Sequence, residues 1–225
     1  GLPNASGFRT FVSRMWAAGK LTSYNAFYLN VKSFGLINKK YGKQEADRII
    51  IRFAEQLLSY TDEDECVGRL SGDAFILMVH KEKTDAVLKL TAGVNIRASV
   101  NGREEMTTLQ AVAGCLDIDD DDMDSEGIIG RCSTALNVAR YDKHVPYLFS
   151  TPEMHTKVIH QKQILSVFAD ALNNGEFQPY YQPKVNTKTK KLVGAEALVR
   201  WVKDGMTIAP GEFIPILETG DSICL

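Results

Sequence analysis

One carboxylate of the sequence stands in a tight, glycine-containing connection between two apolar runs. The connection is Ser71-Gly72-Asp73, within Arg69–Phe75 (RLSGDAF). Considered alone, Asp73 is interpreted as a turn residue, because aspartate side chains commonly hydrogen-bond the backbone of the turn in which they lie. A chemical role for this carboxylate therefore depends on the residues that the fold brings beside it.

Other groups that could bind a metal do not have the required spacing. The acidic run Asp117–Asp124 (DIDDDDMD) suggests a calcium loop, but an EF-hand needs glycine at position 6 and glutamate at position 12. Those positions hold Asp122 and Ile128, so the run predicts a solvated acidic turn near a helix N-terminus. The four cysteines and four histidines have no zinc-ligand spacing, and free, reduced thiols are typical of a cytoplasmic protein.

The overall charge is close to neutral, with 26 Lys and Arg against 28 Asp and Glu in 225 residues. This balance argues against a protein that mainly binds DNA or RNA, which needs a basic surplus. No apolar run reaches the roughly 18 residues that span a bilayer, and no signal peptide is indicated. The length fits one large domain, or one domain and part of another.

The apolar spacing predicts a fold of helices and strands, α/β in the broad sense and α+β in the narrower one. Its centre is a mixed sheet with helices on its faces. Gly42–Tyr60 has apolar residues at helical spacing, and Ala26–Val31 is a short run of strand formers. The runs Cys66–Leu70 and Ala74–His80 predict a hairpin around the Asp73 turn. The other elements predicted up to residue 150 are a helix over Thr84–Ala98, a strand over Thr107–Leu116, a helix over Glu126–Tyr141 and a strand over Tyr147–Ser150.

After Pro152 the pattern changes, which indicates the start of a second domain. Glu153–Asn174 is a long amphipathic stretch, and Gly175 after it is a good helix stop. Two strands are predicted next, Gln178–Val185 and Leu192–Trp201, joined by a polar turn.

Three segments of the first part of the chain resemble, in order and spacing, landmarks of the GGDEF (diguanylate cyclase) family. They are Gly1–Asn4 (GLPN), Phe34–Gly42 (FGLINKKYG) followed by Asp47, and the hairpin Arg69–Phe75. The resemblance runs from the first residue to about Ser150. It implies a fold like the palm of nucleotidyl cyclases. Members of the family join two GTP molecules into cyclic di-GMP with two metal ions held by acidic residues.

The same resemblance implies that the metal site is degenerate. The first metal carboxylate of the family falls on Asn30, a neutral amide, and the second falls on Asp73. The acidic residue after it falls on Ala74, which can neither bind metal nor accept a proton. The phosphate-gripping Lys and Arg of the family fall on Arg140 and His144. Because a two-metal centre concentrates negative ligands around its cations, we expect no cyclase activity.

Other matched positions imply nucleotide binding. Asn38 and Asp47 match the residues that read the guanine edge, and carboxylate oxygens can accept from its N1–H and amino group. Phe34 and Gly35 match a turn whose backbone N–H groups approach the phosphates. The alternative is that Asn38 caps a turn and Asp47 is a solvated helix residue. The product-binding motif RxxD falls on Asp62–Glu65, where a carboxylate replaces the arginine, so cyclic di-GMP is not expected there.

Segments of the last part closely resemble the opening of the EAL domain, the cyclic di-GMP phosphodiesterase family. They are Phe177–Pro183 (FQPYYQP), Gly194–Trp201 (GAEALVRW) and Pro210–Glu218 (PGEFIPILE). Glu196 matches a metal-ligating carboxylate, Arg200 a contact to the substrate phosphate and Gln182 a further position in the substrate pocket. The EAL fold is related to the (β/α)₈ barrel of about 250 residues, whose parallel strands are buried on both faces. This chain therefore holds only the first strands of an incomplete barrel.

These resemblances divide the chain into a degenerate GGDEF domain (1–150), a linker helix (151–175) and the N-terminal part of an EAL domain (176–225). The favoured hypothesis is a cytoplasmic, bacterial cyclic di-GMP signalling protein. Its inactive GGDEF module binds GTP and regulates an EAL phosphodiesterase that uses Mg²⁺ or Mn²⁺ in the longer parent protein. A non-catalytic cyclic di-GMP receptor or scaffold and a weak diguanylate cyclase remain alternatives. The expected partners are guanine nucleotide or cyclic di-GMP and a second copy in a homodimer, without nucleic acid or membrane in this segment.

Overall fold

The structure, a computed structural model, describes residues 2–100, 102–141 and 145–219. The chain divides into two units, Gly1–His155 and Thr156–Leu225, and each has its own hydrophobic core. Within the described residues, every helix is too short or too polar to cross a membrane.

Helices are interspersed among the strands of the first unit, and the second unit is built around a hairpin. The helices are α1 (Ala5–Ala17), α2 (Phe34–Tyr41), α3 (Lys43–Leu58), α4 (Thr84–Ala92), α5 (Ser125–Tyr141), α6 (Pro152–Asn173) and α7 (Pro210–Thr219). The strands are β1 (Tyr24–Val31), β2 (Cys66–Ser71), β3 (Ala74–His80), β4 (Val94–Val100), β5 (Arg103–Leu109), β6 (Ala111–Asp117), β7 (Tyr147–Phe149), β8 (Phe177–Val185), β9 (Leu192–Lys203) and β10 (Met206–Ile208).

The first unit contains a five-stranded mixed sheet in the order β2-β3-β1-β6-β7. Neighbouring strands are antiparallel except β6 and β7, which are parallel. Strand β1 lies in the middle, so most of its side chains are buried on both faces. The end of β1 meets the first residues of β3 and β6, where Asn30 lies opposite Ala74 and Val112. The predicted mixed sheet is confirmed.

Helices cover both faces of this sheet, as the sequence predicts. One face packs against α3, α4 and the β4–β5 hairpin through residues such as Phe53, Val87 and Ile96. The other face packs against α1 and α5 through residues such as Phe8 and Ile128. Burial of apolar side chains on both faces holds β1 and its two neighbours rigidly in place, which fixes the positions of the residues at their ends.

Helix α3 confirms the helix predicted over Gly42–Tyr60, and one acidic residue on it has a structural task. The Glu45 carboxylate is almost fully buried and accepts hydrogen bonds from Arg48 (3.0 Å), Arg52 (3.1 Å) and the Ser99 N–H (3.0 Å). Burial raises the pKa of Glu45, but these three donors outweigh burial and hold the pKa below its ordinary value. The carboxylate thereby ties α3 to β4.

Two predicted elements are wrong, and both involve the β4–β5 hairpin. The helix predicted over Thr84–Ala98 ends at Ala92, because Gly93 adopts a φ of 150° and the chain continues as β4 with alternating buried and exposed residues. The strand predicted over Thr107–Leu116 is interrupted at Gln110, where the chain leaves its pairing with β4 and enters the central sheet. Helices α1 and α2 are not indicated by the apolar spacing.

The second unit confirms the predicted strands Gln178–Val185 and Leu192–Trp201 but not a parallel arrangement between them. Strands β8 and β9 are antiparallel neighbours, and β10 pairs with β9. Trp201 stacks on Phe177 (ring centroids 5.0 Å apart) and meets the edge of Phe213 (5.6 Å) in a small core with α6. Most other residues of β8 and β9 are exposed.

Candidate functional site

The structure brings the matched segments of the first unit together around the end of β1. The Arg69 N–H donates to the Pro3 carbonyl (2.9 Å), which joins the chain start to the hairpin. The Val31 N–H donates to the Asp73 carbonyl (3.1 Å), which joins β1 to the turn. Asn4 caps α1 through its side-chain oxygen, which accepts from the Gly7 N–H (3.0 Å).

The turn between β2 and β3 is held by its own arginine. The Arg69 guanidinium donates twice to the Gly72 carbonyl, from Nε (2.9 Å) and Nη2 (2.6 Å). Asp73 beside it is half-buried, and its carboxylate forms no ion pair with any residue that the structure describes. Asp73 is thus a positioned carboxylate that no described cation neutralises.

Neutral side chains stand next to this carboxylate. Asn30 lies directly across from Ala74, and its amide approaches the Asp73 carbonyl with a long contact of 3.5 Å. Ala74 is 5% exposed and offers no ligand atom. Across residues 2–100, 102–141 and 145–219, no group of three or more His, Cys, Asp or Glu side chains could hold a metal ion. One carboxylate and one amide do not fit a two-metal centre, which needs several negative oxygen ligands.

A lysine that sequence reasoning missed follows β1. The Lys32 N–H donates to the Gln110 carbonyl (2.8 Å), which extends the ladder with β6 by one residue. Strand alternation places Lys32 on the same face as Asn30. The side chain is half-buried, and none of the described carboxylates lies within 4 Å of its ammonium group. The sequence could have indicated Lys32, because it lies two residues after Asn30 and so on the same strand face.

The chain next to Lys32 turns sharply into α2. Ser33 adopts a left-handed conformation with a φ of 55°, which is costly for a residue other than glycine. The carbonyl of Ser33 accepts from the Leu36 N–H (2.8 Å) and, weakly, from the Ile37 N–H (3.4 Å). The N–H groups of Phe34 and Gly35 precede them and lack intrahelical partners, as the first residues of a helix do.

The two residues expected at the guanine edge lie on consecutive helices. The Asn38 side chain donates to the Phe34 carbonyl within α2 (3.1 Å), which leaves its amide oxygen available as an acceptor. Asp47 is exposed on α3. Gly42, with a φ of 78°, forms the corner between these helices.

The remaining phosphate candidate lies at the end of α5. Arg140 is exposed, and the residue before it, Ala139, packs in a cluster with Val112. Because Val112 lies opposite Asn30 in the sheet, the last turn of α5 is directed to the same end of β1. His144 lies outside the described residues.

The loop at Asp62–Glu65 is held by an internal cation. Lys83 Nζ lies 2.7 Å from Asp62 Oδ2 and 2.7 Å from Glu65 Oε2. The Glu65 side chain is fully buried and also accepts from the N–H groups of Asp62 (2.8 Å) and His80 (2.9 Å). Both acidic side chains thus already have a partner within the chain.

In the second unit, the three matched residues share one face of the β8–β9 hairpin. Gln182 is directly opposite Glu196 in the register. Glu196 Oε2 lies 3.2 Å from Lys184 Nζ, a lysine that the sequence did not single out. Arg200 lies over the Tyr180 ring at 5.9 Å and donates to the Val199 carbonyl (2.8 Å).

Comparisons with known proteins match the two parts of the chain to two family models. Residues 1–144 match the family model described as "Diguanylate cyclase, GGDEF domain", and residues 166–223 match the EAL domain model. Two curated relatives are each 25% identical. The bifunctional diguanylate cyclase/cyclic di-GMP phosphodiesterase MucR of Pseudomonas aeruginosa matches over 87% of this chain and 29% of its own length. The cyclic di-GMP phosphodiesterase PdeR of Escherichia coli matches over 97% and 33%. The chain therefore spans a third or less of these relatives.

Solved structures share the fold. The S helix-GGDEF-EAL part of Vibrio cholerae LapD, bound to c-di-GMP, is 16% identical with a TM-score of 0.54, covering 99% of this chain and 52% of that one. The GGDEF domain of PA1120 from Pseudomonas aeruginosa is 19% identical with a TM-score of 0.58, covering 70% of this chain and 95% of that one.

Proposed function

The chain belongs to the GGDEF family and continues into the first part of an EAL domain, and we propose that it is the regulatory part of a cyclic di-GMP signalling protein. In this proposal the GGDEF unit binds guanine nucleotide and does not synthesise cyclic di-GMP. The EAL domain hydrolyses cyclic di-GMP in the longer protein. Relatives named as a bifunctional cyclase/phosphodiesterase and as a phosphodiesterase support the signalling role.

The proposed absence of cyclase activity rests on one observation. Two neutral side chains pair at the end of β1, where the family holds its metal ions. Asn30 and Ala74 face each other where negative ligands are needed, and of the three matched metal-end positions only Asp73 is acidic. Loss of one group that stabilises charge in the transition state commonly costs about 10²–10³ in rate, and two such losses leave little catalysis.

Three features support nucleotide binding at the same place. The N–H groups of Phe34 and Gly35 open α2 and suit phosphate oxygens. Asn38 and Asp47 supply an amide and a carboxylate for the guanine edge. Arg140 supplies a cation at the end of α5.

For the EAL part, the shared face of β8 and β9 supports a metal and substrate site. Glu196 is the carboxylate for Mg²⁺ or Mn²⁺, Gln182 lies directly across from it, and Arg200 is four residues along the same strand face for a phosphate. GGDEF and EAL domains generally depend on divalent metals, and further metal ligands are expected from the longer protein.

The cysteines support a cytoplasmic location, which remains part of the proposal. Cys66, Cys115 and Cys132 are buried free thiols, the state expected in a reducing compartment. A homodimer stays a prediction, to be checked by light scattering of the 225-residue chain.

The decisive experiment assays conversion of GTP to cyclic di-GMP in the presence of Mg²⁺. We expect no product from the wild-type chain and a gain of product in the double variant Asn30→Asp/Ala74→Glu, which restores both carboxylates. The double variant Asn30→Gln/Ala74→Gln is the matched neutral control and should stay inactive. Cyclic di-GMP formation by the wild-type chain contradicts the proposal: slow formation favours the weak cyclase, and formation at ordinary enzyme rates shows an intact one.

Nucleotide binding is tested separately by calorimetric titration with GTP and with ATP. We expect GTP to bind more tightly, and Asp47→Ala to remove this preference because it removes the acceptor for guanine. Asp85→Ala, a change of an exposed aspartate on α4, is the control. Equal binding of GTP and ATP, or no binding of either at millimolar concentration, contradicts guanine recognition.

A further inference from the structure

We propose that this nucleotide site binds phosphate without a divalent metal, with the Lys32 ammonium group supplying the positive charge. The inference rests on the proposed nucleotide binding and concerns how the same site works. It follows from the misfit between the side chains at the end of β1 and a metal centre.

The first argument is the position of Lys32. Its backbone is fixed on both sides, by the Gln110 carbonyl that accepts from its N–H and by Val31, which bonds to the Asp73 turn. The side chain leaves from the face that carries Asn30. A cation is therefore held beside the residues that, in a metal centre, would have to be anionic.

The second argument is that this cation has no partner in the part of the chain that the structure describes. No ion pair or side-chain hydrogen bond to residues 2–100, 102–141 or 145–219 engages the Lys32 ammonium group, although the side chain is half-buried. A partly desolvated cation without a counter-ion is unfavourable until an anion binds. Lys40 on α2 differs, since it is paired with Glu105 at 2.7 Å.

The third argument is the local charge. Among the matched and neighbouring residues that the structure describes, the end of β1 has the cation Lys32, the carboxylate Asp73 and the neutral Asn30 and Ala74, and the last turn of α5, which carries the exposed Arg140, packs toward the same end. Such a set attracts a phosphate and repels a divalent cation, because like charges raise each other's energy at short range. The geometry is therefore suited to the free polyphosphate rather than to its magnesium complex.

The backbone that follows Lys32 also favours phosphate binding. The left-handed Ser33 turns the chain so that the N–H groups of Phe34 and Gly35 follow directly after the lysine. Backbone N–H groups and an ammonium group together bind phosphate oxygens by charge-assisted hydrogen bonds. Both features lie within the four consecutive residues 32–35, so the proposal assigns them to one phosphate group.

The test is titration of the 225-residue chain with GTP and with inorganic tripolyphosphate, in EDTA and in Mg²⁺. We expect GTP to bind in EDTA at least as tightly as in Mg²⁺, and tripolyphosphate to compete with it. Lys32→Met should weaken binding in EDTA about tenfold to a hundredfold, the loss of one charged hydrogen bond. Lys32→Arg should keep most of the affinity.

Two further variants separate a role in binding from a role in folding. Lys89→Met, at an exposed lysine of α4, should bind like wild type. Lys32→Asp should lose binding in EDTA and regain part of it in Mg²⁺, since the new carboxylate provides a metal ligand beside Asp73. Circular dichroism and thermal melts confirm that each variant is folded.

The outcomes distinguish this inference from the function on which it rests. GTP binding that requires Mg²⁺, or Lys32→Met binding as tightly as wild type in EDTA, overturns the inference and leaves the proposed nucleotide site standing. No GTP binding in either buffer overturns the nucleotide site, and the inference with it.

Discussion

Replacement of Lys83 by methionine tests the internal ion pair that occupies the Asp62–Glu65 loop. The variant leaves the Glu65 carboxylate fully buried without its cation, 2.7 Å away in the wild type. Removing one partner of a buried pair costs about 3–5 kcal/mol. Glu65 keeps two backbone donors, from Asp62 and His80, and the exposed Asp62–Lys83 pair adds about 1 kcal/mol at most. We therefore expect a loss of about 2–3 kcal/mol.

Urea denaturation at neutral pH measures this loss, with Lys89→Met as the exposed control within about 0.5 kcal/mol of wild type. Burial lowers the pKa of Lys83, but the hydrogen bonds to Asp62 and Glu65 outweigh burial and raise it above its ordinary value. A raised lysine pKa stabilises the fold fully below the unfolded pKa of about 10.4 and ceases to do so as pH rises through the folded pKa. The difference between wild type and Lys83→Met should therefore stay constant from pH 7 to pH 9.

The reasoning is refuted if Lys83→Met costs no more than the Lys89→Met control. A double-mutant cycle with Glu65→Gln provides the sharper test. Because Glu65→Gln removes the buried charge, Lys83→Met on that background should cost about 1 kcal/mol or less. A coupling energy below about 0.5 kcal/mol would show that Lys83 does not act through Glu65.

Two further predictions concern the packing of α5 on β6 and the buried thiols. Gly114→Ala should destabilise the first unit by about 3 kcal/mol or more in urea denaturation, because the new Cβ would lie 1.9 Å from the Cys132 carbonyl oxygen. Gly130→Ala on α5, where a Cβ meets open space, should be neutral or stabilising by up to about 1 kcal/mol. Burial raises the pKa of Cys66 to about 11 and that of Cys115 to about 12, so both thiols should resist alkylation at pH 8 until denaturant is added, as followed by mass spectrometry. Rapid labelling of either in the native protein would contradict their burial.

The sequence predicted those elements whose hydrophobic period was unbroken. The helix over Gly42–Tyr60 and the hairpin around Asp73 are confirmed, because each buries one face or pairs with its immediate neighbour in sequence. The helix predicted over Thr84–Ala98 was wrong. The apolar residues have helical spacing before Gly93 and alternate as in a strand after it. The pairing of β4 with β5 decides in favour of the strand. Because β5 comes later in the sequence, the residues of β4 alone do not indicate this pairing.

Sequence reasoning was limited in the same way for single charged residues of the site. The sequence identified Asn30, Asp73 and Ala74, and the register places Asn30 opposite Ala74; their roles stay predictions. It missed Lys32 and Lys184, although each lies two residues after a predicted site residue and so on the same strand face. A lone lysine has no pattern of its own, and its role depends on the charges that the fold places beside it. Lys184 has Glu196 diagonally across the hairpin at 3.2 Å, and Lys32 has no described carboxylate within 4 Å. Lys184 is therefore paired within the chain, whereas Lys32, in our proposal, takes its counter-ion from a bound phosphate.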